Sequence, residues 1–579
     1  IIFNLTSPLI NAIIYKSLYF INERRNMSKI KIFSLGGLNE NGKNMYVVEV
    51  DKSIFVFDAG LKYTDENTLG IDYIIPNVNY LKDNKERIKG IFLTHAHDEN
   101  IGALTNVISI IGLVPVYGSK FTLDMVRKEF DMSSISTESL KEMKANSPEV
   151  FGKVKIFPVN LSHSIPENFG YSIYTDQGVI FYASDFVFDA LMRGSYQTDI
   201  GKLAYIGKQG VLCLLAESIY SEKVGHTAPN HRISNLIRET LSKSDGRIIF
   251  NVLNSHLYRI QELFNEVSKT DRKIVVMGKR LQNIINYATS NGYLDAGKNV
   301  IGDLSNINDD NVVILNSNER EKPYFTINKI VNGYDKFVKL RKSDTVFLAT
   351  PVYEGMEKTF VRILDDFAKL GVNVVTLPSK KYLSHHASSE DLMMMIELMS
   401  PKYYFPIKGD YKNLFINAEL AEAVGIPKDN ILLKGNGDVA TFVGGKLVNN
   451  FERVEAGEIL IDGESSDDIG ELVLKDRELL SNNGIVIISA SLDKKSKTII
   501  AGPEILTRGF IYVKESEELL HEMKGICTKI INDNIKNGFV EYMKIKNTIR
   551  EDLSKYLSQA TGNRPMIITV ISEIDLQDK

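Results

Sequence analysis

Short apolar runs separated by turns dominate the first part of the chain. Residues 30–35, 45–50 and 54–57 each read as a buried strand, the last two joined by a hairpin-like Asp51-Lys52 step. A further apolar run, Ile91-Phe92-Leu93, reads as a strand that ends where a histidine pair begins. Residues 154–159, 171–174 and 179–184 continue the strand pattern, and 101–111 has a helical period. Hairpins mixed with occasional helices predict a layered sandwich, two sheets covered by helices.

From about residue 228 the rhythm changes. Helix-period segments (231–243, 256–268, 279–290, 356–370) alternate with short apolar runs (247–253, 273–277, 346–349, 373–377). That alternation is the signature of a parallel sheet, so a Rossmann-like module is expected as an insertion. It carries no GxGxxG or Walker loop, and no nucleotide cofactor is inferred. After about 380 short strands return, and the polar stretch around 462–468 reads as a linker. The tail predicts strands near 484–490, 497–501, 509–513 and 566–572 with two amphipathic helices, a small α+β domain.

Composition narrows the class. A net charge of −4 argues against a chain coated for nucleic acid, while leaving room for a local basic groove. Two cysteines, Cys213 and Cys527, exclude a disulfide framework and a cysteine zinc site, and fit a reducing compartment. Residues 1–20 are apolar-rich but broken by Pro8, Asn11 and Lys16, a poor signal peptide and a poor membrane span. Met27-Ser28-Lys29 looks like a natural start, so 1–27 is expected to be a disordered or mis-assigned extension. No other segment looks able to span a bilayer, and a cytoplasmic protein with no membrane partner is expected.

The chemistry concentrates in Thr94-His95-Ala96-His97-Asp98-Glu99-Asn100. Two histidines at i and i+2 on a strand end can turn their imidazoles to one side. His163 and Asp185 follow, each where a predicted strand gives way to a loop. Isolated histidines are ordinarily satisfied core or surface residues. Three in this order with one carboxylate make a complete tetrahedral zinc set.

Longer motifs accompany them. Gly36-Gly37-Leu38-Asn39-Glu40-Asn41-Gly42-Lys43-Asn44-Met45, Phe57-Asp58-Ala59-Gly60-Leu61 and His163-Ser164-Ile165-Pro166 resemble the ribonuclease J family. So do Gly502-Pro503-Glu504-Ile505-Leu506-Thr507-Arg508-Gly509-Phe510 and Arg564-Pro565-Met566 near the end. The resemblance spans residues 28–575. It implies an α/β fold: an αββα metallo-β-lactamase sandwich, an inserted β-CASP domain and a C-terminal domain. It also implies zinc-dependent RNA hydrolysis, 5′→3′ exonucleolytic and endonucleolytic, in messenger RNA decay and ribosomal RNA maturation. The expected division is 28–227 and 381–461 for the sandwich, 228–380 for the β-CASP domain, 462–474 for the linker and 475–579 for the C-terminal domain.

Residue by residue, the resemblance implies that His95, His97, His163 and Asp185 are first-metal ligands. Asp58 matches a supporting aspartate, and Glu217 falls at the acidic position opening the β-CASP region. The family's His-Val-Ser-Gly-His-Ala loop reads Tyr382-Leu383-Ser384-His385-His386-Ala387 here. Ser384 and His386 are retained for phosphate contact and general-acid work, and Tyr382 has replaced a histidine.

Other positions depart from the pattern. Asn100 and Lys408 stand where second-metal histidines are expected, and Glu99 stands where an aspartate handles metal and proton. A Gly-Ser-Gln-Gly-Glu loop reads Pro351-Val352-Tyr353-Glu354-Gly355. Two metals about 3.5–4 Å apart clamp the attacking and leaving oxygens of a phosphodiester. One zinc is therefore expected, with manganese as an alternative and a second ion compromised. The Lys408 ammonium is expected in the vacated position, neutralising Glu99 and Asp185; the plainer reading points it into solvent. A shifted register with Asp98 as ligand would still leave the site short.

Two functions stay open: a working zinc-dependent ribonuclease, or a weak or silent RNA-binding subunit in a homo- or hetero-oligomer with another ribonuclease J chain. An unrelated small-molecule metallohydrolase fits poorly with the insertion and the C-terminal domain. Lys380 and Lys381, with Ser384 and His386, are the expected phosphate contacts.

Overall fold

The computed structural model describes residues 27–575 except 65–69, 298–301, 303, 319–323, 351, 353–354, 379–380, 449–450, 464–470, 512–515 and 536–539. The extension at 1–26, most of the expected linker and Lys380 therefore lie outside the described residues. Among the described residues no helix is long and apolar enough to cross a membrane.

Two mixed sheets form the sandwich. The first, of eight strands, has its centre at Ile30–Gly36, Met45–Val50, Ser53–Phe57 and Ile88–Phe92. The second, of six, runs Tyr403–Ile407, Val211–Glu217, Gly178–Ala183, Phe169–Thr175, Val154–Asn160 and Glu149–Phe151. Their facing surfaces share a core of Phe55, Phe57, Phe92, Tyr171, Tyr182, Leu215 and Phe405. Helices Leu104–Ile111 and Lys120–Met132 cover the outer face of the first sheet. Helices Ile200–Lys208 and Ser389–Met399 cover that of the second. This is the helix–sheet–sheet–helix sandwich that the hairpin pattern predicts.

The insertion is a five-stranded, wholly parallel sheet in the order Lys273–Val276, Val312–Asn318, Ile248–Leu253, Thr345–Leu348, Asn373–Val375. Apolar clusters lie on both its faces, which is why its strands read as continuous apolar runs. Four of these strands match the predicted runs; Val312–Asn318 ends in polar residues and was not recognised.

The C-terminal part forms a separate compact unit, with strands Ile485–Asp493, Ile499–Arg508 and Met566–Ile574. Three helices accompany them rather than two, and the first, Glu471–Asn483, takes up residues 471–474 of the expected linker. The expected strand near 509–513 does not form at Gly509 and Phe510. The preceding strand, Ile499–Arg508, runs on to Arg508, where Gly509 turns the chain out of extended geometry at φ +65°.

One close approach in the sandwich sets the site. The turn Asp58–Leu61 is zipped to helix Asp98–Ile101 by Ala59 N to Asn100 O (2.6 Å) and Leu61 N to Asp98 O (3.0 Å), and Asn44 N donates to Glu99 O of the same helix (3.2 Å). A Cβ on Gly60 would lie 1.6 Å from the Glu99 carbonyl oxygen. Gly60→Ala must therefore push turn and helix apart, at an expected cost of about 2–3 kcal/mol. Hydrogen exchange across Ser53–Phe57 checks this, and unchanged protection would refute it.

Candidate metal centre

Parallel strand ends assemble the site. In the first sheet, Ser53–Phe57 and Ile88–Phe92 run parallel and deliver Asp58 and the histidine motif. In the second, Gly178–Ala183, Val211–Glu217 and Tyr403–Ile407 are adjacent and parallel, pairing Ala183 with Ala216 and Glu217 with Ile407. Their ends place Asp185, Glu217 and Lys408 side by side. His163 follows Val154–Asn160, and Asp58, His95, His163, Asp185, Glu217 and Lys408 are all buried to within 1% of full burial.

His95, His97 and His163 converge, with ligand atoms all within 4.8 Å of one another. His163 Nε2 lies 3.3 Å from His97 Nδ1, and His95 Nε2 lies 3.3 Å from Asp185 Oδ2. Nitrogen and oxygen ligands about 2.0–2.1 Å from a tetrahedral zinc stand about 3.3 Å apart, so the three histidines fit one ion, and Asp185 stands at that spacing from His95. Burial, followed by the neighbouring histidine, holds His95 and His163 well below the ordinary imidazole range, which leaves them neutral as metal ligands must be. The tautomers are set from outside: Thr94 Oγ1 is 3.0 Å from His95 Nδ1, and His163 Nδ1 donates to the His385 carbonyl at 2.8 Å.

Asp58 anchors this arrangement. Its carboxylate accepts from Thr94 N (2.8 Å), Thr94 Oγ1 (3.0 Å), Asn100 Nδ2 (2.7 Å) and Tyr182 OH (2.6 Å). Burial raises its pKa to about 6 against the pull of those donors.

The second-metal positions are built differently. Asn100 also donates its amide to Thr94 Oγ1 (3.2 Å) and Ser184 Oγ (3.1 Å), leaving Oδ1 as its sole free donor of electrons. Lys408 does not point into solvent: it is fully buried, in the left-handed region at φ +53°, with its ammonium bonded to Asp185 Oδ2. Burial opposes that charge, but Asp185, Glu99 and Glu217 outweigh it and raise the Lys408 pKa. Glu99 Oε1 lies 3.8 Å from His97 Nδ1. Asp98 is turned away, accepting from Tyr63 OH at 2.8 Å.

His386 Nδ1 bridges Glu217 Oε2 (2.8 Å) and Asp185 Oδ1 (3.4 Å). Burial works against its charge, yet the two carboxylates raise its pKa. Glu217 Oε1 also accepts from Phe186 N and Ala387 N, tying the 382–387 loop to the strand ends of the second sheet. Ser384 and Tyr382 are half-buried on that loop, with Ser384 N donating to Tyr220 OH at 3.3 Å. Of the loop at 351–355, Pro351, Tyr353 and Glu354 lie outside the described residues. Sequence reasoning missed the Tyr182 donor to Asp58, and it passed over His385. That residue occupies the motif's glycine position and is buried against His231, ring centroids 4.6 Å apart. The departure from glycine was the available signal.

Comparison with known proteins agrees with this geometry. Residues 38–179 match the metallo-beta-lactamase superfamily model, and 245–367 match the ribonuclease J beta-CASP domain. Residues 378–430 match the Zn-dependent metallo-hydrolase RNA specificity domain, and 472–574 the ribonuclease J C-terminal domain. Fold and site thus define a metallo-β-lactamase-type hydrolase with a β-CASP insertion, a metal-using, RNA-binding class. The chain is 37% identical to "Ribonuclease J 2" of Staphylococcus aureus strain MRSA252, over 94% of this chain and 98% of that protein. It is 36% identical, with the same coverage, to "Ribonuclease J 2" of Staphylococcus epidermidis strain RP62A. A crystal structure of a protein of unknown function from Enterococcus faecalis V583 shares the fold, with a TM-score of 0.51 at 16% identity over 72% of this chain and all of that one. The chain belongs to the ribonuclease J family, and its class is that of metal-dependent ribonucleases.

Proposed function

We propose that this chain is a weak or silent member of its family, an RNA-binding subunit that holds one zinc ion and partners a second ribonuclease J chain. The observation that carries this reading is Asn100. Its amide nitrogen is committed to Asp58, Thr94 and Ser184, so a position that should offer a metal an imidazole offers only a neutral amide oxygen. The first site is intact, with His95, His97, His163 and Asp185 as its ligands. Three nitrogens in a tetrahedral set favour zinc over manganese. A bound zinc supplies Lewis-acid charge to a phosphoryl oxygen. Asp58 keeps the ligands in place, and Glu217 positions His386. Ser384, His386, Tyr382 and Lys381 are assigned to the RNA phosphates.

A second reading, an active zinc-dependent ribonuclease, is favoured by His386. Its ring retains a proton beside the histidine nest, centroids 5.7 Å from His163, as a general acid requires, with Glu99 as the proton-handling carboxylate. Degradation of a 5′-monophosphorylated RNA by the purified chain, beside His95→Ala/His97→Ala, separates the two. Equal rates are expected. Cleavage lost in the control would establish the active enzyme. Capture of a second ribonuclease J chain by this one is the expected companion result, and strict self-association would overturn the partner assignment.

A further inference from the structure

Lys408 is the residue whose chemistry the family's two-metal arrangement leaves unexplained. It follows strand Tyr403–Ile407 and is held from both sides of its backbone, Lys408 N donating to Gly37 O and Ser218 N to Lys408 O, each at 3.0 Å. The side chain therefore has one direction available, into the centre. Acidic groups from several surrounding elements act on its charge: Asp185 beyond Gly178–Ala183, Glu217 at the end of Val211–Glu217, Glu99 in helix Asp98–Ile101, and Asp58 after Ser53–Phe57. Asp185 Oδ2 lies 3.3 Å from His95 Nε2, on the nest side, and accepts the Lys408 ammonium as well.

A carboxylate oxygen shared between two cations is what a two-metal centre requires of its bridging ligand. Here one of the two partners is an ammonium. A protonated amine has no lone pair for a metal, and it repels a divalent ion from the space beside it. Asp185, Glu217 and His386 do bring their ligand atoms within 4.8 Å of one another, but at the position that Lys408 fills, against Asp185 Oδ2, the residues present do not fit a second metal. We propose that Lys408 is a built-in cation standing in for the second metal ion, so that the centre closes electrostatically with a single bound ion.

This deepens, and rests on, the one-zinc reading above. In the second half of the site Asp185 already has a cation of the chain's own, the Lys408 ammonium. His386 repeats the device one position along, an imidazole ring set between Glu217 and Asp185. The cleft is thereby assembled by the chain itself, and only the histidine nest needs to capture an ion.

The test counts metal and needs no RNA. Native mass spectrometry of the full chain saturated with Zn²⁺, and separately with Mn²⁺, is expected to show one ion. Lys408→Ala should accept a second, and its thermal midpoint, lowered relative to the parent, should recover with Mn²⁺ at concentrations that leave the parent unmoved. Lys408→His/Asn100→His, which restores two imidazoles, should hold two zinc ions and serves if the alanine variant does not fold. Two ions bound by the parent, or one ion retained by every folded variant, would overturn the proposal. RNA cleavage by the parent with a single ion bound would instead overturn the silent-subunit reading and leave this one standing.

Discussion

Alanine at position 58 is expected to cost the sandwich about 4 kcal/mol and to weaken metal capture together with the fold. Asp58 is fully buried and accepts four hydrogen bonds, from Thr94 N and Oγ1, Asn100 Nδ2 and Tyr182 OH. Each buried donor left without a partner costs about 1–3 kcal/mol, and partial relaxation reduces the sum. The backbone adds to this, because residue 58 sits at φ +62°, which aspartate and asparagine tolerate better than alanine. Asp58→Asn is therefore expected to be milder, about 2 kcal/mol, because it keeps one acceptor and turns an amide toward donors. The metal effect runs through Thr94, whose hydroxyl touches both Asp58 and His95 Nδ1. Losing such an outer partner lowers metal affinity about 10–100-fold. Hydrogen exchange of the Ile88–Phe92 strand and a zinc titration read the two effects separately. Asp58→Ala within 1 kcal/mol of the parent, or with unchanged zinc affinity, would refute the anchoring role.

Arg247→Met is expected to destabilise the parallel insertion by about 3–5 kcal/mol, because it strips the partner from a fully buried carboxylate. Arg247 Nε and Nη2 bond Asp344 Oδ1 (3.0 Å) and Oδ2 (2.7 Å), and both side chains are wholly shielded from water. The same guanidinium also donates to the Ile307 carbonyl at 3.0 Å and the Lys339 carbonyl at 2.7 Å. The methionine variant leaves Asp344 with only the Arg341 N–H, at 2.8 Å, against a buried charge. Removing both charges in Arg247→Met/Asp344→Leu should cost clearly less than the single change, since desolvation no longer opposes folding. Exchange protection of Ile248–Leu253 measures both. A double variant no better than the single one would show that the pair adds net stability rather than satisfying its own charges.

Much of the fold was legible because its signals are local. The strands at 30–35, 45–50 and 54–57 and the alternating helices and strands of the insertion follow from period and apolar runs. Helices Ser389–Met399 and Tyr411–Ala423 escaped notice in a region read as short strands. Ser389–Met399 buries Leu392, Met395, Ile396 and Met399, so its apolar run resembles a buried strand. The first helix of the C-terminal unit, Glu471–Asn483, was missed beside a polar run that reads as a linker.

The candidate site divides in the same way. His95 and His97 declare themselves, because two histidines at i and i+2 on a strand end are brought together by strand geometry alone. The sequence by itself marked out the histidine motif and the layered fold, and the family resemblance singled out the positions where a second metal is expected to lack ligands. Only the tertiary structure decided what those positions do instead. Residues 185, 217 and 408 become neighbours through two parallel strand pairings, one of which joins Glu217 to the distant Ile407, and no local pattern encodes that register. Whether Lys408 met water or Asp185, and whether Asn100 turned its amide toward Asp58, depended on those pairings. In a buried site a charge takes the partner that the neighbouring strands bring to it.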